Sequence, residues 1–103
     1  MTTKPESRIL QGPAGRLDSR WHGPKDGAPA VILHPHPLLG GTMGSRLVYD
    51  LAVGLAEDGW RAVRFDFRGA GRSEGAYGEG LGEADDTLAV LAAAEADAGR
   101  PPV

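Results

Sequence analysis

Apolar residues fall in short runs along this chain, and the period of the runs changes from one to the next. Residues 30–33, Ala-Val-Ile-Leu, are continuously apolar and bounded by turn residues, which predicts a strand buried on both faces. Over residues 45–58 the period lengthens. Leu47, Val48, Leu51 and Leu55 then share one face of a helix. Thr42 or Ser45 is placed to cap its amino end, and Gly59 suits the left-handed position after its last turn. Residues 60–67 return to a strand, with Ala62, Val63, Phe65 and Phe67 apolar. Strand, helix and strand with short links make a right-handed crossover, so these two strands are expected to be parallel neighbours. Residues 81–98 read as a second helix, with Leu81, Ala84, Leu88, Leu91 and Ala92 as its apolar face. Glu83, Asp85 and Asp86 lie in its first turns, where the helix dipole favours negative charge, and Gly99 with Pro101-Pro102 ends it.

Upstream the pattern is shorter. Arg8-Ile9-Leu10 reads as a strand, Gly12-Pro13-Ala14-Gly15 as a turn, and residues 16–21 as the partner strand of an edge hairpin. Gly23-Pro24-Lys25-Asp26-Gly27 is a second turn. The expected class is α/β, and residues 1–103 are expected to form one domain unit: a hairpin over 1–27, then strand, helix, strand and helix over 28–103.

The chemistry gathers where the first apolar strand stops. His34-Pro35-His36-Pro37 removes two amide donors and breaks any ladder or helix, and Gly40-Gly41 lets the backbone turn. In an open parallel sheet, ligands bind at the carboxyl ends of strands, where such loops lie. An apolar strand ending in His34-Pro35-His36-Pro37 with Gly-Gly-Thr-Met after it resembles the third strand and oxyanion loop of the α/β-hydrolases, in the branch of dienelactone-hydrolase-like and small bacterial serine hydrolases. Arg64-Phe65-Asp66-Phe67-Arg68-Gly69-Ala70-Gly71-Arg72-Ser73-Glu74-Gly75 resembles the loop after the fourth strand of that fold. The likeness covers residues 28–103 and implies the amino-terminal part of a doubly wound, mostly parallel hydrolase sheet. It further implies hydrolysis of an ester, thioester or amide through an acyl-serine, with no cofactor and no metal.

Gly71-Arg72-Ser73-Glu74-Gly75 matches G-x-S-x-G, the motif of a nucleophile elbow. Three observations oppose that role. The preceding strand ends near Phe67, too early for an immediate elbow. Ala-Tyr-Gly-Glu-Gly follows, which is no helix start. The fold places its histidine after the serine, whereas His22, His34 and His36 all precede Ser73. Ser73 is therefore read as a turn residue bonded locally, and the nucleophile, acid and base are expected outside these residues.

What this chain would supply is backbone. Acyl transfer needs two N–H donors at the developing oxyanion, one of them from the loop after the third strand. Pro35 and Pro37 have no N–H, so His36 is the first candidate and Leu38 the second. His34 and His36 as a metal pair lack further ligands nearby; the plainer reading has His34 closing the strand end with a side-chain hydrogen bond. Asp66 and Arg68 are read as holding a loop by a salt bridge and backbone bonds. The glycines of residues 69–75 fit a dinucleotide fingerprint badly, and the acidic residues from Glu74 to Asp86 read as a solvated loop and helix start.

Composition narrows the rest. With 41% hydrophobic and 24% charged residues the chain suits a globular domain. There is no cysteine, so disulfides and thiolate metal sites are excluded. A net charge of −3 without a basic patch argues against nucleic acid. No apolar run approaches a membrane span and the amino end carries no apolar signal region, so a cytoplasmic location is expected. The expected partner is a small acyl substrate. The rival expectation is a non-catalytic truncated or interaction module that pairs, or self-associates, through an open sheet edge.

Overall fold

The computed structural model describes residues 4–34 and 41–99. The hairpin forms as expected from β1, Glu6–Gly12, and β2, Gly15–His22, paired antiparallel with Leu10 opposite Leu17. After a turn comes β3, Pro29–Ile32, then helix α1, Arg46–Glu57, strand β4, Arg61–Phe65, and helix α2, Leu81–Asp97. Gly59, just past α1, has φ 95°, the left-handed conformation anticipated for it.

Among the described residues the four strands form one mixed sheet in the order β1-β2-β4-β3. β3 runs parallel to β4 with Ala30 opposite Ala62, the pairing expected of the crossover. β4 runs antiparallel to β2 with Trp21 opposite Val63. β4, the last of these four in the chain, is thus inserted between two earlier ones.

All five residues of β4 are buried, because a helix covers each face of the sheet. Val63 and Phe65 point to one side and pack with Leu17, Trp21, Val90 and Ala94 beneath α2. Ala62 points to the other side and packs with Ile32, Val48 and Ala52 beneath α1. Burying an aromatic such as Phe65 contributes about 1.5–3 kcal/mol.

Four expectations change. β3 is not buried on both faces: only Ile32 is buried and Leu33 is exposed, because β3 is an edge of the described sheet with β4 on one side. The buried face of α1 is Val48 and Ala52 with Leu55 beside them, while Leu47 is 66% exposed and Leu51 lies outside as well. Neither hydroxyl caps α1. Ser45 makes no side-chain cap bond, and Thr42 Oγ1 instead accepts the Gly44 N–H at 3.2 Å within the turn that leads in.

The largest change is in α2. Leu81 is 82% and Leu88 63% exposed, and the buried stripe is Gly82, Glu83, Asp86, Val90 and Ala94. The small residues of that stripe let the helix lie close. Arg68 Nη1 would be 2.6 Å from a Cβ on Gly82. Glu83 and Asp86 are therefore not part of a solvated run. They face the loop before the helix, where they have partners. Glu83 accepts the N–H groups of Gly78 at 2.8 Å and Gly80 at 3.0 Å, which satisfies the N-cap donor and one donor of the loop before it. Burial works to raise its carboxyl, but these bonds outweigh it and hold Glu83 below the usual range.

Candidate functional site

The site candidates lie at the carboxyl ends of β3 and β4. His36 and Leu38, the two backbone-donor candidates, fall outside the described residues, as do Pro35, Pro37 and Gly40. The residues on both sides of that stretch are described, and each is tied to the end of β4.

His34 stands on the near side. It is buried, and its Nε2 accepts the Phe67 N–H at 3.0 Å while its ring meets Phe67 edge-on at 4.6 Å. The side-chain bond read for it at the strand end is thus present. Among the described residues no group of three or more His, Cys, Asp or Glu is arranged to hold a metal ion.

Met43 stands on the far side, also buried. Its N–H donates to Asp66 Oδ1 at 2.8 Å, and its carbonyl accepts from Arg64 Nη1 at 3.0 Å. One peptide segment is therefore gripped on both sides by residues two apart, Arg64 near the end of β4 and Asp66 just past it. Arg64 in turn donates through Nε to His22 Nε2 at 3.0 Å, and its guanidinium lies 5.2 Å from the Tyr49 ring centre. The sheet register explains the pair: His22 is opposite Ala62, so Arg64 is its diagonal neighbour on the α1 face. Burial, then the positive charges of Arg64 and Arg61, push the His22 imidazole down to about 4, so it stands neutral as an acceptor at pH 7. Burial raises the Asp66 carboxyl, against the Met43 N–H that favours its charged form.

Asp66 and Arg68 do not pair with each other. Arg68 pairs with Asp86, which is fully buried, at 2.9 Å, and Asp86 also accepts the Arg68 N–H at 2.9 Å. Asp66 serves the two loops. Its carboxylate takes the Met43 N–H and, on the other side, the Arg72 backbone, and a Cβ on Gly71 would collide with its Oδ2. Gly71 has φ 51°, so this turn requires glycine for both conformation and space.

Ser73 lies in the same turn, buried, with its hydroxyl fully used. It donates to the Asp66 carbonyl at 2.6 Å and accepts the Asp18 N–H at 2.9 Å. A nucleophile needs a base at its hydroxyl, and both partners here are backbone groups. The turn reading holds, with one addition: the bond to Asp18 is not local but fastens the loop to β2. Glu74 adds a second fastening there, accepting the Arg16 N–H at 2.8 Å while its own N–H donates to the Arg16 carbonyl.

Arg64, His22 and Met43 were not singled out by the sequence reading. One signal was present: Arg64 interrupts the apolar residues of β4 at a position that alternates onto a covered face.

The fold has known counterparts. No family model matches the chain. A curated relative, the uncharacterized protein RP471 of Rickettsia prowazekii (strain Madrid E), is 40% identical over 84 residues, which are 80% of this chain and 35% of that protein. Among solved structures, an alpha-beta serine hydrolase homologue from Coxiella burnetii aligns with a TM-score of 0.86 at 40% identity, covering 98% of this chain and 50% of that one. XC6422 from Xanthomonas campestris, a serine hydrolase without a lid, aligns at 0.85 and 33% identity over 98% of this chain and 49% of that one. The chain spans about half the length of these structures and about a third of the curated relative.

Proposed function

We propose, for a chain that carries the α/β-hydrolase fold and resembles the serine hydrolases as an amino-terminal portion of that fold, that it furnishes the oxyanion loop of an acyl-transferring site. The substrate class is an ester, thioester or amide, and the His36 backbone N–H, or failing it that of Leu38, donates to the oxyanion. The nucleophile, acid and base come from outside these 103 residues. One observation carries the reading: both sides of the segment that holds the donors are fastened to the end of β4, His34 through Phe67 and Met43 through Asp66 and Arg64. An oxyanion donor acts by being held in place before the charge develops, and such anchoring supports that use. The engaged Ser73 hydroxyl supports a nucleophile elsewhere.

The test is made in the natural protein purified from its own cells. His36→Ala keeps the amide and is expected to retain most acyl-ester turnover. His36→Pro removes the donor and is expected to cost roughly a hundredfold. Circular dichroism must first show that the proline variant is folded, since proline also restricts the preceding residue, Pro35. An inactive but folded His36→Ala with a His36→Pro no worse would overturn the backbone role. A fluorophosphonate is expected to leave Ser73 unlabelled.

The second reading, a non-catalytic module that pairs through its sheet edge, is favoured by β3 lying at that edge with Leu33 exposed beside it. It predicts no fluorophosphonate adduct anywhere in the natural protein.

A further inference from the structure

The oxyanion segment proposed above enters α1 through Met43, and the bonds at Met43 come from the carboxyl end of β4, from Arg64 within it and Asp66 just past it, rather than from the loop itself. We propose that Arg64 and Asp66 are positioning residues that set the path of this segment by gripping the Met43 peptide groups from both sides. The inference rests on the oxyanion reading for its consequence in turnover, though not for the geometry.

Four observations carry it. The two grips are on successive polar groups of one residue, the N–H at 2.8 Å and the carbonyl at 3.0 Å, so Met43 can neither rotate its peptides nor slide without losing one. Both gripping side chains are buried, where an unmatched donor or acceptor is costly. Each is itself held: Arg64 by His22, and Asp66 by contact with the turn at Gly71 and Arg72, which Ser73 fastens to β2. Finally, Arg64 occupies a covered strand position at which alanine or valine would pack without any desolvated charge. A core role alone would not call for a guanidinium there.

The chemistry predicts unequal effects of two replacements at Asp66. A carboxylate can accept from Met43 and Arg72 together. An asparagine has one acceptor oxygen, so it can satisfy one N–H and must turn its NH₂ toward the other. A leucine satisfies neither. At Arg64, methionine removes the bond to the Met43 carbonyl and leaves His22 unmatched. Lysine can reach one of the two but not both, since it lacks the planar fork.

The experiment is amide hydrogen exchange by NMR on the 103-residue chain, wild type against Asp66→Asn, Asp66→Leu, Arg64→Lys and Arg64→Met. Amides of Leu10 and Leu17, in the hairpin, report global stability. Asp66→Leu and Arg64→Met are expected to speed exchange at residues 42–45 at least tenfold beyond any change at the hairpin. Asp66→Asn is expected to raise exchange at only one of Met43 and Arg72, and Arg64→Lys to be intermediate. Equal acceleration everywhere, or none at 42–45, would overturn the proposal. If a leucine or methionine variant does not fold, the asparagine and lysine variants still decide it.

A second readout uses the natural protein. Asp66→Asn and Arg64→Lys are expected to lower kcat about tenfold with KM within threefold, since a displaced donor weakens transition-state binding more than ground-state binding. Unchanged kcat alongside faster loop exchange would mean that these residues hold the loop without tuning the reaction, and would overturn the positioning role. Wild-type protein without any acyl hydrolysis would instead sink the oxyanion reading, while the exchange data would still judge the grip on Met43.

Discussion

Ser73 and His22 show how position, not residue type, decides what a side chain does. A serine in a G-x-S-x-G frame is available for attack only if its hydroxyl is free to meet a base, and here the hydroxyl joins the Asp66 carbonyl to the Asp18 N–H. Ser73→Ala would leave two buried backbone groups unmatched. The expected loss is roughly 2–4 kcal/mol of unfolding free energy, measured by urea titration. A change under half a kcal/mol would mean that the fastening is idle. His22 has a pH signature. Its folded value is about 4, below the ordinary 6.5 expected of the unfolded chain. Above 6.5 both states are neutral and nothing is lost. As pH falls from 6.5 toward 4 the unfolded chain takes up a proton that the folded one refuses, so stability declines by up to about 1.4 kcal/mol per pH unit, and below 4 this loss stops growing. His22→Gln, which still offers Arg64 an oxygen, is expected to flatten that slope between pH 6.5 and 4. Parallel slopes for the two proteins would remove His22 as the cause.

Elements were legible where periodicity and packing agree, and misread where they part. The strands, both helices, the parallel pair and the hairpin follow from apolar runs and turn residues, and the structure has all of them. The face of α2 does not follow. Its leucines lie outside, and its buried stripe is made of small residues and two carboxylates whose partners, Arg68 and the amides of Gly78 and Gly80, sit in the loop before it. A periodicity count favours the largest apolar side chains and cannot see that a buried acid is already paired. The bonds at Met43 were hidden for a related reason. They join residues 21 and 23 positions apart, and only the fold brings these together. Val90→Ala, at a fully buried position, is expected to cost about 2–3 kcal/mol. Leu88→Lys is expected to stay within about half a kcal/mol in this chain. Thermal melts of both variants check the assignment, and the reverse order would restore the leucine face.

At the scale of the molecule, apolar features that lie uncovered among the described residues include β3 at the sheet edge, with Leu33 beside it, and the leucines on the outer faces of the two helices. None of the helices among the described residues is long and apolar enough to cross a membrane. An unpaired strand edge offers N–H and carbonyl groups to another strand. The 103-residue chain is therefore expected to self-associate as its concentration rises, seen as a growing mean mass in sedimentation equilibrium, and Leu33→Lys with Leu88→Lys is expected to weaken it. A mass fixed at 10.7 kDa across a hundredfold dilution would exclude this.

The insertion of β4 between β2 and β3 means that neither half of this chain holds the four-stranded sheet. Everything before residue 35 contributes β1, β2 and β3, and in the sheet order β3 touches β4 alone. Everything after residue 40 contributes the strand that fills the gap and both helices. A single cut between residues 35 and 40 would thus leave two fragments threaded through one another, with His34 still on Phe67 and His22 still on Arg64. Expressed separately, each fragment lacks the partner that pairs its strands into the four-stranded order. Mixed together, they are expected to recover one cooperative melt and to co-elute, as a split protein whose two parts become folded only in each other's presence.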